Sequence, residues 1–256
     1  MKKIVMLCSR SESSYIVYNK LSEIFNIEKV IIEDSVSSIT LMKRRIKKMG
    51  IFKVAGQVLF IIFVVPFLKR SSSERKKEML AEYNVSVDDT NMLNSDPVLV
   101  KSVNDVKCIE TLKNIQPDIV IVNGTRIISE NVLNCIDAKF INLHAGITPK
   151  YRGSHGAYWA LYNNDAENAG ATVHFVDKGI DTGNIIYQSV IPVTDKDNFS
   201  TYSILQTCVG VEDEIKAIND IISDNVMCKK NNLPSGLYSH PTIFQYLYKR
   251  VFHKVK

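Results

Sequence analysis

The sequence predicts an α/β protein built on a doubly wound, Rossmann-like, mostly parallel sheet, with a small helical extension towards its C-terminal end. Three observations predict it. The chain opens as strand, loop, helix and strand from Lys3 to Ile32, the start of a parallel sheet. Further on, Ile119-Val120-Ile121-Val122 is apolar at every position, as a strand covered by helices on both faces must be. Helical and strand patterns then keep alternating through Leu143, and in such open sheets ligands lie beyond the carboxyl ends of the strands.

Lys3 to Leu7 reads as the first strand, Tyr15 to Ile24 as a helix and Val30 to Ile32 as the second strand. Between the first two, Ser9-Arg10-Ser11-Glu12-Ser13-Ser14 lacks the glycines of a dinucleotide or phosphate loop, so neither NAD nor ATP binding is expected. These hydroxyls either hold a phosphate at the helix N-terminus or cap the helix.

From Thr40 to Tyr83 the composition changes. A basic run, Lys43 to Lys48, precedes Ile51 to Leu68, which is apolar except for Lys53 and Gln57, and a second basic run ends at Lys77. The uninterrupted apolar stretch, Val58 to Leu68, is 11 residues long, too short to cross a bilayer, and Pro66 sits near its end. Residues 40–83 therefore read as a helical insertion. It packs on the core or on a second copy in a homodimer; alternatively, residues 40–77 lie on a membrane surface with basic flanks.

Val106 to Lys113 is a helix leading into the apolar strand, and Asn123-Gly124 is a turn before a helix from Ser129 to Asn134 and a strand from Lys139 to Leu143. Ala171 to Val176 and Asn184 to Val193 follow as strands, expected to be antiparallel to each other. A helix from Thr201 to Ser223 aligns Ile204, Leu205, Cys208, Val211, Ile215, Ile218 and Ile222 towards a core. An apolar-basic helix runs from Thr242 to Lys254. Residues 1–200 form the main domain in this reading and 201–256 the extension.

With 256 residues, 45% of them hydrophobic and 23% charged, the chain can bury a full core, and disorder is excluded. The net charge of +5 is mild and clustered, the mark of a solvated surface, and no nucleic-acid partner is expected. Five cysteines, without a Cys-x-x-Cys pair, fit a reducing compartment and no structural zinc. The first apolar run is too short for a secretory signal, so a cytoplasmic location is expected, with peripheral contact at the inner membrane surface as the membrane variant.

The chemistry concentrates in two places. Asn142-Leu143-His144 ends an apolar strand, and because strand side chains alternate with period two, the carboxamide and the imidazole point the same way. Asp181 lies in a Gly-bracketed loop, Asp177 to Gly183, after the strand that carries His174. That loop can bring a carboxylate to the same cleft. Alone, His144 would be a core histidine satisfied by backbone; beside an amide donor and a carboxylate it is a candidate acid-base group.

Taken together, Asn142-Leu143-His144, Tyr151-Arg152-Gly153, Gly170-Ala171-Thr172-Val173-His174 and Asp177-Lys178-Gly179-Ile180-Asp181-Thr182-Gly183 resemble the folate-dependent formyltransferases. That family includes glycinamide ribonucleotide formyltransferase, the catalytic domain of methionyl-tRNA formyltransferase and formyltransferases of nucleotide-linked amino sugars. The detailed likeness covers about Asp118 to Thr201, with a looser topological match from Met1. A single Asn-x-His is weak, whereas these motifs in this order are specific. One departure is His144-Ala145-Gly146-Ile147-Thr148-Pro149, where the family often has His-Pro-Ser-Leu-Leu-Pro; Pro149 is retained.

The resemblance implies the formyltransferase fold and an N10-formyltetrahydrofolate-dependent N-formyltransferase that needs no metal. It puts the catalytic trio on Asn142, His144 and Asp181. The stretch Asn123, Gly124, Thr125, Arg126, Ile127, Ile128 resembles the one whose backbone holds the pterin, and Asp177, Gly179 and Ile180 complete the cofactor side. Ser9, Arg10, Ser11, Tyr151, Arg152 and Gly153 are the acceptor-side candidates, with Arg152 alternatively clamping the turn. His174, the family's second histidine, either bonds the aspartate loop or acts directly. Asp177 caps or braces that loop, and Thr182 and Gly183 shape it.

Three acceptor amines compete. Ser9-Arg10-Ser11 does not reproduce the glycine-serine-asparagine phosphate loop of glycinamide ribonucleotide enzymes, and a methionyl-tRNA enzyme needs a further C-terminal domain. A nucleotide-linked amino sugar for surface polysaccharide is left as the expected acceptor. A non-catalytic paralogue is the reading from another class, and it has no physical need of Asn142, His144 and Asp181 together.

Overall fold

A computed structural model describes residues 2–253 and 255–256; Lys254, the expected end of the last helix, lies outside the described residues. In chain order the strands are β1 (Ile4–Ser9), β2 (Ile27–Glu33), β3 (Val98–Val100), β4 (Ile119–Asn123), β5 (Lys139–His144), β6 (Arg152–Gly153), β7 (Gly170–Phe175), β8 (Ile185–Val190) and β9 (Leu237–Tyr238). The early helices are α1 (Glu12–Ser22), α2 (Ser38–Met49), α3 (Ile51–Leu59), α4 (Val65–Ser71), α5 (Ser73–Glu82) and α6 (Thr90–Asn94). The later ones are α7 (Val106–Ile115), α8 (Glu130–Leu133), α9 (Gly156–Tyr162), α10 (Phe199–Ile222) and α11 (Ile243–Phe252).

Among the described residues, seven strands form one sheet in the order β3-β2-β1-β4-β5-β7-β8. The first five pair in parallel, whereas β7 runs antiparallel to β5 and β8 antiparallel to β7. Alternation along β1 builds two cores at once. Ile4, Met6 and Cys8 face one layer with Val17, Leu21, Val211 and Ile218; Val5 and Leu7 face the other with Cys108, Leu112 and Val132. Fully burying each such aliphatic side chain contributes roughly 1.5–3 kcal/mol.

Helix α10 is begun by a capping box between Asn198 and Thr201 and packs against α1, β5, β7 and β8. Its Val211, Ala217 and Ile218 belong to the sheet's own core. Helix α10, which follows the boundary expected at residue 200, thus packs directly on the sheet.

The insertion differs from expectation. Helix α3, a wider π-helical turn at Phe60–Val64 and α4 run on as one helix from Ile51 to Ser71. That is 21 residues with a mean hydropathy of 2.3 in its most apolar window, long and apolar enough to cross a membrane. The apolar count of 11 falls short because Lys53 and Gln57 are carried on the helix without interrupting it. Just before Pro66, which has no N–H to donate, the wide turn closes with Val65 N–H donating to the Phe60 carbonyl.

Candidate active site

Strand β5 carries Asn142 and His144 to the carboxyl edge of the sheet, and both side chains line a cavity of about 350 Å³. The segment after β4, residues 123–128, forms a second wall, and Val176, Asp177, Gly179, Ile180 and Asp181 after β7 form a third. Gly153 of β6 and Ser154 complete it. Carboxamide, imidazole and carboxylate therefore meet in one place.

Their hydrogen bonds fix the proton positions. His174 Nδ1 lies 2.7 Å from the Phe175 carbonyl oxygen, which can only accept, so Nδ1 carries the hydrogen and Nε2 a lone pair. Asn142 Nδ2 lies 3.1 Å from that Nε2 and donates to it. Burial holds the His174 pKa below the ordinary histidine value, with the neighbouring His144 acting the same way. The Phe175 carbonyl and the negative charge of Asp181 oppose the shift, and the ring stays neutral. By the same logic His144 Nε2 donates to the Tyr151 carbonyl at 2.9 Å. That leaves Nδ1 facing Asp181 Oδ2 at 3.4 Å.

The Asp181 loop is braced from several sides. Asp177 Oδ1 accepts from Gly179 N at 2.9 Å and from Thr182 Oγ1 at 2.7 Å. Arg152 donates to the Ile180 carbonyl at 2.9 Å, so its guanidinium clamps the loop. Asp181 itself has a φ of 52°, in the left-handed region, and its Oδ2 accepts from Gly153 N at 3.0 Å. Gly183 packs its Cα against the Phe175 carbonyl, where any side chain would collide.

Some expected residues lie elsewhere. Tyr151 is fully buried, with its hydroxyl 2.6 Å from Asp165 Oδ2, and only its carbonyl reaches the site. Ser11 is the N-cap of α1, accepting from Ser14 N at 3.2 Å; Ser13 lines the cleft instead. Ser9 and Arg10 line a neighbouring cavity of about 620 Å³ that shares Gly124, Thr125 and Arg126 with the first. Arg126 offers the cleft its backbone, since its guanidinium donates to the carbonyls of Lys101 and Asp34.

Sequence reasoning missed Glu33. This buried carboxylate accepts from Arg126 N at 2.6 Å and Val103 N at 3.1 Å, tying the 123–128 wall to β2. Its signal was an acidic residue closing an otherwise apolar strand end. His155 and His240 pack on each other behind the site, Nε2 to Nδ1 at 3.0 Å. Burial holds them down at about 3 and about 4 respectively, so both are neutral.

The family model described as formyl transferase matches residues 60–207. A methionyl-tRNA formyltransferase of Azobacteroides pseudotrichonymphae is 36% identical over 126 residues, 49% of this chain and 39% of that protein. The chain thus spans well under half the length of that curated relative. The N-formyltransferase of Helicobacter canadensis, solved with folinic acid and dTDP-3-aminofucose, superposes with a TM-score of 0.56 at 19% identity, covering 93% of this chain and 71% of that one. The phosphoribosylglycinamide formyltransferase of Streptococcus pneumoniae superposes with a TM-score of 0.53 at 18% identity, covering 87% and 99%. At these identities the two superpositions show a shared fold.

Proposed function

The chain belongs to the formyl transferase family, and we propose that it transfers a formyl group from N10-formyltetrahydrofolate to the primary amine of a nucleotide-linked amino sugar. The observation that carries this reading is the convergence of Asn142, His144 and Asp181 on one cavity.

The residues present fit the donor. The cavity's volume of about 350 Å³ is in the range of small-ligand sites. Val122, Ile127, Ile128 and Val176 supply apolar walls for a flat ring, while backbone groups of 124–128 and the Asp177 carboxylate supply polar edges. When bound, the donor contributes an electrophilic one-carbon unit.

The rest is done by this chain's own groups. Asn142 spends one amide hydrogen on His174 and has a second to meet negative charge growing on a carbonyl oxygen. His144 Nε2–H is held by the Tyr151 carbonyl, so a proton leaving the attacking amine goes to Nδ1. The resulting imidazolium lies between that carbonyl and the Asp181 carboxylate and would pass the proton to the nitrogen that gives up the formyl group, an acid-base contribution of about 10²–10⁴ in rate.

Two facts support the amino-sugar acceptor. The Helicobacter canadensis enzyme was solved with dTDP-3-aminofucose, and the cavity of about 620 Å³ beside the cleft, where Ser9 and Arg10 stand opposite Glu33 and Asp34, has room for an acceptor larger than a bare amine. The 36% identity to a methionyl-tRNA formyltransferase favours a second reading, an aminoacyl-tRNA amine. Purified protein is mixed with N10-formyltetrahydrofolate and, in turn, nucleotide-linked amino sugars, glycinamide ribonucleotide and methionyl-tRNA, with tetrahydrofolate release as the readout. Release only with an amino sugar is expected. Release with charged tRNA alone would establish the second reading, and none with any amine would leave a binding paralogue.

A further inference from the structure

Two stretches of the chain contain no acidic residue: the one between Asp34 and Glu74, and everything after Asp224. Together they hold fourteen of the 32 Lys and Arg residues of a chain whose net charge is only +5, so the remainder is net negative. Far apart in sequence, these stretches pack on each other. Gln57 donates to the His240 carbonyl at 2.6 Å, and the rings of Phe60 and Tyr246 lie 5.1 Å apart.

Their outward faces are apolar. Phe52 is 91% exposed, Phe63 67% and Phe67 69% on the helical run through α3 and α4, and Phe244 is 73% and Phe252 71% exposed on α11. From Phe52 to Phe67 the strip is about 22 Å long at the α-helical rise. Isolated exposed apolar residues need no explanation, but a run of them along one helix, Phe52, Leu59, Ile62, Phe63 and Phe67, does. Exposed cations sit at its margins: Lys47 and Lys48 end α2, Lys69 and Arg70 end α4, and Arg250 lies on α11.

We propose that α3, α4 and α11 form a docking surface for an anionic lipid bilayer, on which the enzyme rests without spanning it. Aromatic rings at the headgroup boundary with cations against phosphates are the chemistry such a surface provides. A second copy of this chain would bring the same cationic margin against itself across a two-fold axis, so charge favours the bilayer. Spanning is opposed by the inner face of the helix. Gln57 is bonded to His240, Phe60 packs edge-on against Phe199 at 4.8 Å, and Ser72, on the Leu68 carbonyl, accepts from Asn198 at 2.8 Å. Crossing the membrane would break all three.

Flotation of the full chain with phosphatidylglycerol-containing vesicles, against phosphatidylcholine alone, at low and high salt, tests this. Binding to the anionic vesicles is expected at low salt and at least about tenfold less to the neutral ones. The pairs Phe63→Ser with Phe67→Ser, and Phe244→Ser with Phe252→Ser, should each cut binding about tenfold or more while leaving the far-ultraviolet dichroism and formyl transfer to a soluble amine unchanged. No flotation with anionic vesicles at low salt would overturn the proposal. So would resistance to alkaline extraction, which indicates a spanning helix, or a sedimenting dimer that the same serine pairs dissociate without altering vesicle binding.

Discussion

Asn142 Nδ2 sits 3.1 Å from Nε2 of His174, and this contact decides which way the carboxamide faces. The lone pair on Nε2 can only receive a hydrogen, so the amide nitrogen, and not its oxygen, must be on that side. His174 thereby orients the Asn142 carboxamide.

Removing the donor should cost more than loosening it. Asn142→Ala is expected to lower kcat about 10²–10³-fold. His174→Phe, which keeps the ring but removes the acceptor, should cost about tenfold, and the double variant should be no slower than Asn142→Ala, since residues acting as a unit are non-additive. Steady-state kinetics of the three variants measures this; independent, additive losses would contradict it.

Asp181→Asn should separate charge from shape. Asparagine tolerates the left-handed φ of 52°, and its carbonyl can still accept from Gly153 N. Only the charge beside His144 Nδ1 disappears. A fall in kcat of about 10²–10⁴ with an unchanged melting temperature is expected; Asp181→Ala should lower the melting temperature as well, because alanine in that backbone region is strained by about 1–2 kcal/mol.

Gly146→Ala should disable the site by crowding. A Cβ there would collide with the Tyr151 carbonyl oxygen and come 2.7 Å from the His144 Nε2 that bonds it, so the turn carrying both must shift. Loss of activity together with a lowered melting temperature is expected, read by comparing kcat with a thermal melt. Full activity in a folded variant would show that the Tyr151 contact is dispensable.

Arg75 joins the insertion to the main domain. Its Nε donates at 3.0 Å to Asp197, whose side chain is wholly buried before α10. Burial pushes the Asp197 pKa up, but the bonds from Arg75 and Thr194 outweigh it and hold the carboxyl below its ordinary value. Arg75→Met leaves that charge buried without its cation and should cost about 3–5 kcal/mol, measured by denaturant unfolding.

Glu214 makes stability fall between acid and neutral pH. It is fully buried, its oxygens have no partner among the described residues, and burial pushes its pKa up to about 8 from 4.5. A folded-state pKa above the unfolded one means this group's stabilisation is complete below about pH 4.5 and fades as pH rises through about 8. The melting temperature should decline across that window, and Glu214→Gln should flatten the decline. An unchanged slope would sink the assignment.

Short-range patterns were readable because backbone geometry enforces them. Apolar periodicity located the strands and the long helix, and the period of two in β5 put Asn142 and His144 on one side before any packing was known. Ser11 shows the limit: one sequence serves equally a phosphate site and a helix cap, and the Ser14 amide that donates to the Ser11 hydroxyl decided it. The insertion's length escapes a hydropathy count because the apolar run stops at Gln57 while the helix does not.

By itself, then, the sequence determined the strand-helix alternation, the shared direction of Asn142 and His144, and the family likeness, since each is written in spacings of a few residues. Tertiary structure alone decided that Tyr151 turns into the core, that the Asp181 loop reaches His144, that His174 orients Asn142, and that α11 meets the insertion. Those outcomes depend on the paths of loops and on contacts between segments up to about two hundred residues apart, and no local period in the chain encodes where two such segments will meet.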